Sequence, residues 1–70
     1  MDKDRFVALR KDAGFTQATF AKALGVSPGY IGDIERGHRE VSLKLAIRME
    51  SELKLPIVAE FVAAKSSEAA

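Results

Sequence analysis

Apolar residues recur at three- and four-residue spacing in five short blocks, punctuated by Gly, Ser and Pro. The organisation is densest in Gln17–Arg36, QATFAKALGVSPGYIGDIER. Phe20, Ala21 and Leu24 form one inward stripe of helical period, Ile31 and Ile34 form a second, and Val26 falls between them. Gly25 ends the first stripe, where a helix stop commonly needs a positive φ that glycine adopts cheaply. Ser27 and Pro28 then restart a helix, with serine as N-cap and proline at the first helical position. Ala21 is small where one helix must cross another closely. The pattern predicts two short helices meeting across a glycine turn.

The remaining blocks extend the same logic. Asp2 or Asp4 can cap a first helix running to about Ala13, with Gly14 as its stop and Phe6, Leu9 and Ala13 as its core face. Thr16 is the expected N-cap of the helix from Gln17 to Leu24, and the third helix runs from Pro28 to about Arg36, stopping at Gly37. After the loop Gly37–Val41, Ser42 caps a fourth helix, SLKLAIRMESELK, with Leu43, Ala46, Ile47, Met49 and Leu53 as its apolar stripe. Pro56 opens a last helix, IVAEFVAA, with Ile57, Val58, Phe61 and Val62 on one side. Residues 65–70 carry few hydrophobes and are expected to fray. The chain therefore reads as one domain over residues 1–64 with a flexible tail over residues 65–70. Seventy residues leave no room for a second core, and a chain this short buries only about 60% of its unfolded surface.

The segments FTQATFAKALGVS and YIGDIERG together make a helix-turn-helix signature. They resemble the helix-turn-helix of the Cro/phage-repressor-like family, also called the XRE family, and the resemblance extends from roughly Phe6 to Ile57. It implies an all-α, five-helix, lambda-repressor-like domain that binds double-stranded DNA and regulates transcription, most simply as a repressor. A prokaryotic or phage-encoded protein acting in the cytoplasm at the nucleoid is the corresponding expectation. Family members often carry Glu where Thr19 stands, so a reciprocal capping box is expected to be missing here.

Two charges interrupt apolar faces. Arg10 follows Phe6 by four residues, and Glu35 is adjacent to Ile34 and four after Ile31. Either each is separately solvated or each has a partner. The family pairs an arginine with a glutamate at these two positions, which implies an Arg10–Glu35 ion pair joining the first helix to the third.

In the docking geometry of this motif, the third helix enters the major groove and its N-terminal residues reach base edges. With Ile31 and Ile34 inward, Ser27, Pro28, Gly29, Gly32, Asp33 and Arg36 lie outward, with Tyr30 at the flank. The resemblance carries base-reading roles onto Ser27, Gly29, Gly32 and Asp33, and Pro28 and Tyr30 complete the candidate base-reading surface. The helix departs from a strong reader: it offers glycine twice where Arg, Lys, Gln or Asn usually discriminate. Two readings remain: the glycines let the helix sit deep in the groove, or specificity is modest and the surface meets a protein. Thr16 and Gln17 take the phosphate role of the first turn of the second helix by resemblance, in a position where free N–H groups favour an anion. Lys11 and Lys22 flank the groove, and Arg36, His38 and Arg39 form a second phosphate clamp.

Composition adds limits rather than direction. Apolar residues make up 47% and charged residues 30%, the balance of a folded rather than a disordered chain. Net charge is only +1, so a DNA-binding argument rests on where charges sit: residues 1–40 hold seven Lys and Arg against six Asp and Glu, and the remainder four against four. Without cysteine there is no disulfide and no thiolate metal site, which suits a reducing compartment. The N-terminus, MDKDRF, does not read as a signal peptide, and no apolar run approaches a membrane span. No metal or cofactor is expected, and the parts of an enzyme are missing: there is no Ser–His–Asp set with plausible geometry, and Asp33 and Glu35 point to different sides of a helix. Size argues for a homodimer on paired half-sites, with Ile57, Val58, Phe61 and Val62 as the candidate interface or, alternatively, as completion of the monomer core. An antitoxin with a toxin partner, a restriction-system controller, and a protein-interaction module that does not bind DNA stay open as other functions of the same fold.

Overall fold

A computed structural model describes the backbone of residues 1–69 and the side-chain surroundings of residues 1–64. Its elements are α1 (Lys3–Asp12), α2 (Gln17–Leu24), α3 (Pro28–Glu35), α4 (Leu43–Leu53) and α5 (Ile57–Ala69), with no strand among the described residues. The backbone of α5 thus continues past residue 64; the frayed tail expected over residues 65–70 lies outside the residues described in full.

Each helix starts where a side chain satisfies a free N–H. Ser27 Oγ accepts from Tyr30 N at 3.2 Å, and Ser42 Oγ accepts from Leu45 N at 3.1 Å. Asp2, at 3.4 Å from Asp4 N, makes a longer cap on α1. The reciprocal capping box expected to be missing from α2 is present. Thr16 Oγ1 accepts from Thr19 N at 3.0 Å, and Thr19 Oγ1 accepts from Thr16 N at 2.9 Å. A threonine hydroxyl reaches back as a glutamate would, so the longer side chain is not needed. The N-terminus of α5 is capped from another helix: Glu50 Oε1 on α4 accepts from Val58 N at 3.0 Å. At the end of α2, Gly25 adopts φ 73°, and Arg48 Nη1 donates to the Leu24 carbonyl at 2.8 Å. A side chain at position 25 would bring its Cβ to 2.9 Å from that guanidinium.

The core lies where α1–α4 converge and α5 covers α4. Phe6, Phe20, Leu24, Ile31, Ile34, Met49 and Ile57 are its fully buried large side chains, each contributing about 2 kcal/mol of transfer free energy. Phe20 is the aromatic centre, with ring centroids 5.6 Å from Phe6 and 5.2 Å from Phe15. Ala21 is fully buried.

Several expected core positions move. Ala13 is exposed at the end of α1. On α4 the buried row is Leu45, Ala46 and Met49, with Leu53 packed against it, while Leu43 and Ile47 are 49% and 53% exposed. Two overlapping apolar rows occur on this helix, and the entry from the preceding loop selects the second by burying Val41 and Leu45 together. On α5, Ile57 and Phe61 are buried within the protomer, Val58 is half-buried and Val62 is 51% exposed. Of the four side chains expected at a dimer interface, the core takes two.

Arg10 and Glu35 are brought together in two hydrogen bonds, Arg10 Nε to Glu35 Oε2 at 2.6 Å and Nη2 to Oε1 at 3.2 Å, with both side chains about nine-tenths buried. Arg10 Nη1 also donates to the Phe15 carbonyl at 2.9 Å, and Gln17 Nε2 donates to Glu35 Oε1 at 3.0 Å. Burial pushes the Glu35 carboxyl up. The hydrogen bonds from Arg10 and Gln17 and the charges of Arg10 and Lys11 outweigh it, so its pKa lies below the ordinary glutamate value of 4.5. The carboxylate therefore contributes stability in full above its unfolded-state pKa, and that contribution is lost as pH falls through the depressed folded value. Arg10→Met is expected to lower the unfolding free energy by about 3 kcal/mol near neutral pH, because it strands a buried carboxylate. The deficit shrinks in strong acid, where Glu35 is protonated in the variant. Denaturant titrations at the two pH values check this, and an equal deficit at both would remove the ion pair as its cause.

Candidate nucleic-acid interface

The turn Gly25–Ser27 lifts the start of α3 to the surface, because Ser27 is fixed as N-cap while Ile31 and Ile34 are drawn into the core. Ser27, Pro28 and Gly29 are exposed and Tyr30 is half-buried. Asp33 is half-buried further along the same helix. Gly32, expected to face outward, is buried instead. The cause is Arg36, whose side chain folds back along α3 and donates from Nη2 to Asp33 Oδ1 at 2.6 Å. A Cβ at position 32 would stand 3.1 Å from Arg36 Nη1, so the missing side chain makes room for the guanidinium to lie on the helix. Gly29 differs, since a Cβ there would meet only Ser27 Oγ, at 4.0 Å.

The expected phosphate contacts are also arranged by internal partners. Thr16, Gln17 and Lys22 are exposed along α2. The Thr16 hydroxyl is engaged by the capping box, and the Gln17 amide is oriented by Glu35, so the first turn of α2 is held against the end of α3. Beyond α3, Arg36, His38 and Arg39 are exposed, and the Arg39 guanidinium stacks over the Tyr30 ring at 4.8 Å from its centroid. That contact ties the loop after α3 to the flank of α3 itself. Gln17 thus meets the last residue of α3, while Arg39 reaches back to Tyr30 in its first turn.

A cleft of about 300 Å³ opens between the α2–α3 turn and α4, lined by Gly25, Tyr30, Ser42, Lys44 and Arg48 among others. Lys44 and Arg48 were not among the sequence-based candidates. Their signal is present, a basic pair four residues apart just after the Ser42 cap, where the free N–H groups of a helix start also point. The Arg48 bond to the Leu24 carbonyl has no sequence signal, because it depends on how α4 crosses α2. Among the described residues, no group of three or more His, Cys, Asp or Glu side chains could hold a metal ion, and no helix is long and apolar enough to cross a membrane.

Capped helices α2 and α3 crossing at a glycine turn, with the start of α3 exposed and basic residues beside it, define a helix-turn-helix domain. Residues 7–59 match the family described as Helix-turn-helix, most of the chain, and the chain belongs to this family, in its XRE branch. It is also similar to a protein of Bacillus subtilis (strain 168) described as an uncharacterized HTH-type transcriptional regulator, YazB, with 57% identity over 35 residues. That alignment covers 50% of this chain and 51% of the relative, so the chain spans about half the length of the curated relative it matches. No solved structure matches the chain.

Gly29 offers a separation of fold from surface. In a helix with open space around it, Gly29→Ala is expected to raise the unfolding free energy by about 0.5–1 kcal/mol. If α3 docks by close backbone approach, the same variant binds duplex DNA more weakly. Thermal melting and anisotropy titration of the one variant read the two effects.

Proposed function

We propose that this chain binds double-stranded DNA with α3 in the major groove and regulates transcription, acting as a repressor at a palindromic operator in the cytoplasm, at the nucleoid. The observation that carries the reading is the exposed start of α3, Ser27–Gly29, with the Arg39 guanidinium stacked on Tyr30 beside it. Family membership and the description of the relative as a transcriptional regulator support it, and both point to a regulator without catalytic activity. In this reading Ser27, Pro28, Gly29, Tyr30 and Asp33 face base edges, and Thr16, Gln17, Lys22, His38 and Arg39 meet phosphates. Two protomers on paired half-sites double a contact set that is small for one domain of this size. Val58 and Val62 are the part of the expected interface that the core leaves available.

A second reading, a protein-binding module or an antitoxin facing a toxin, is favoured by one observation. Leu43 and Ile47, four residues apart on α4, are both about half exposed.

Fluorescence anisotropy of the purified chain with a randomised duplex pool, at two salt concentrations and with sequencing of the bound fraction, tests the first reading. Enrichment of a palindromic site with affinity falling steeply as salt rises is expected. Weak binding without an enriched sequence would favour a protein partner. Arg39→Ala should lower the melting temperature only slightly, through loss of the stack on Tyr30, weaken binding to all sequences alike, and reduce the salt slope by about one unit. Unchanged binding would take Arg39 out of the clamp.

A further inference from the structure

Asp33 and Arg36 carry opposite charges, one helical turn apart, on the surface of α3 that the proposed function turns towards DNA. Exposed pairs of this kind contribute little to stability, and α3 already has its cap and its buried isoleucines. The pair also removes Arg36 from the simplest phosphate-binding role, since the guanidinium lies along α3 over Gly32 rather than extending from its end. One donor, Arg36 Nη2, is committed to Asp33 Oδ1 at 2.6 Å; the side chains of Arg36 and Asp33 remain 61% and 38% exposed, so other guanidinium N–H groups can donate to a ligand and the second carboxylate oxygen can accept from one.

That leaves a fixed pattern on the helix surface, one anionic acceptor beside a row of cationic donors. The major-groove edge of a C·G base pair is its complement, with the cytosine N4 amino group as donor next to the guanine O6 and N7 acceptors. An A·T pair also offers an amino donor, but it is flanked by acceptors on both sides, adenine N7 and thymine O4, so a carboxylate there meets a lone pair. A carboxylate alone would be repelled by the phosphates lining the groove. With Arg36 attached, the unit is neutral overall and keeps its dipolar pattern.

We propose that Asp33 and Arg36 act as one specificity-determining unit that reads a C·G base pair, Asp33 accepting from cytosine N4 and Arg36 donating to guanine. Gly32 is the permissive position, because a Cβ there would stand 3.1 Å from Arg36 Nη1 and shift the guanidinium from its seat. This inference rests on the DNA-binding reading above.

The test uses the full chain and its Asp33→Asn variant in the same randomised-duplex selection, with thermal melting to establish that both are folded. Asparagine has nearly the shape of aspartate but presents a donor as well as an acceptor, the pattern that matches adenine. The parent is expected to enrich a site with a C·G pair at one position of each half-site, and Asp33→Asn to shift that position alone towards A·T. Direct titration then gives a parent that loses about tenfold in affinity when this C·G is replaced by A·T, and a variant that loses nothing further from the same replacement. A third measurement uses Gly32→Ala, which keeps both charges and displaces only the guanidinium; it should reduce the C·G preference while retaining the rest of the site. If parent and Asp33→Asn select the same site with the same preferences, the unit is overturned and the DNA-binding reading stands. If the parent selects no sequence, the DNA-binding reading fails and the unit falls with it.

Discussion

Glu35 accepts two hydrogen bonds from the Arg10 guanidinium and one from the Gln17 amide, and Arg10 in turn holds the Phe15 carbonyl. A single buried carboxylate at the last position of α3 therefore fixes three things at once: the crossing of α1 on α3, the path of the α1–α2 loop, and the placement of the α2 first turn. Removing two charges from water costs several kcal/mol, and an apolar contact of the same volume would stabilise as well. Geometry is what an apolar contact would not supply. Leucine side chains could slide along one another, whereas a bidentate guanidinium–carboxylate pair admits one alignment. In this domain that alignment holds the first turn of α2 against the last residue of α3, and so fixes how the two helices of the motif are set against each other.

The same economy governs the helix ends. α2 and α3 have eight residues each, too short to hold their shape in isolation, so their ends need external partners. Local caps were legible because they are written within four residues: Thr16, Ser27 and Ser42 each stand where the pattern begins. Caps from a distance were not. Arg48 on the α2 terminus and Glu50 on the α5 start span 24 and 8 residues, and nothing in the local pattern marks either as a cap. The Thr19 half of the capping box was not legible for another reason: a short hydroxyl stands where the pattern asks for Glu, and the hydroxyl suffices.

Burial was readable where one apolar row stands alone and unreadable where two compete. Phe20, Ala21 and Leu24 on α2, and Ile31 and Ile34 on α3, have no rival row, and all five are buried. On α4 the Leu43–Ile47 row and the Leu45–Met49 row have the same spacing, and periodicity cannot choose between them. Val41 decides: counted from sequence as loop, it is buried and draws Leu45 in after it. For the candidate interface the legible part was the exposure of Ser27, Pro28 and Gly29 at the start of α3. What sequence could not supply was the internal engagement of its charged groups, Gln17 on Glu35, Arg36 on Asp33 and Arg39 on Tyr30, each set by the fold rather than by spacing.

Those engagements bear on how a helix poor in long polar side chains could discriminate at all. A flexible arginine or lysine reaching for a base must be immobilised on binding, at about 0.5–1.5 kcal/mol per side chain. In this domain part of that ordering is already present in the free protein, because Asp33 holds Arg36 and Tyr30 holds Arg39. The glycines at 29 and 32 weaken α3 by up to about 1 kcal/mol each relative to alanine, yet one lies in open space at the exposed end and the other seats a guanidinium. α3 tolerates that loss because its alignment comes from tertiary contacts at Ile31, Ile34 and Glu35, not from its own propensity. A recognition surface with few long readers is then no contradiction of the fold: the fold supplies rigidity, and rigidity lets a short, pre-ordered set of groups do what a longer but mobile set would do at greater entropic cost.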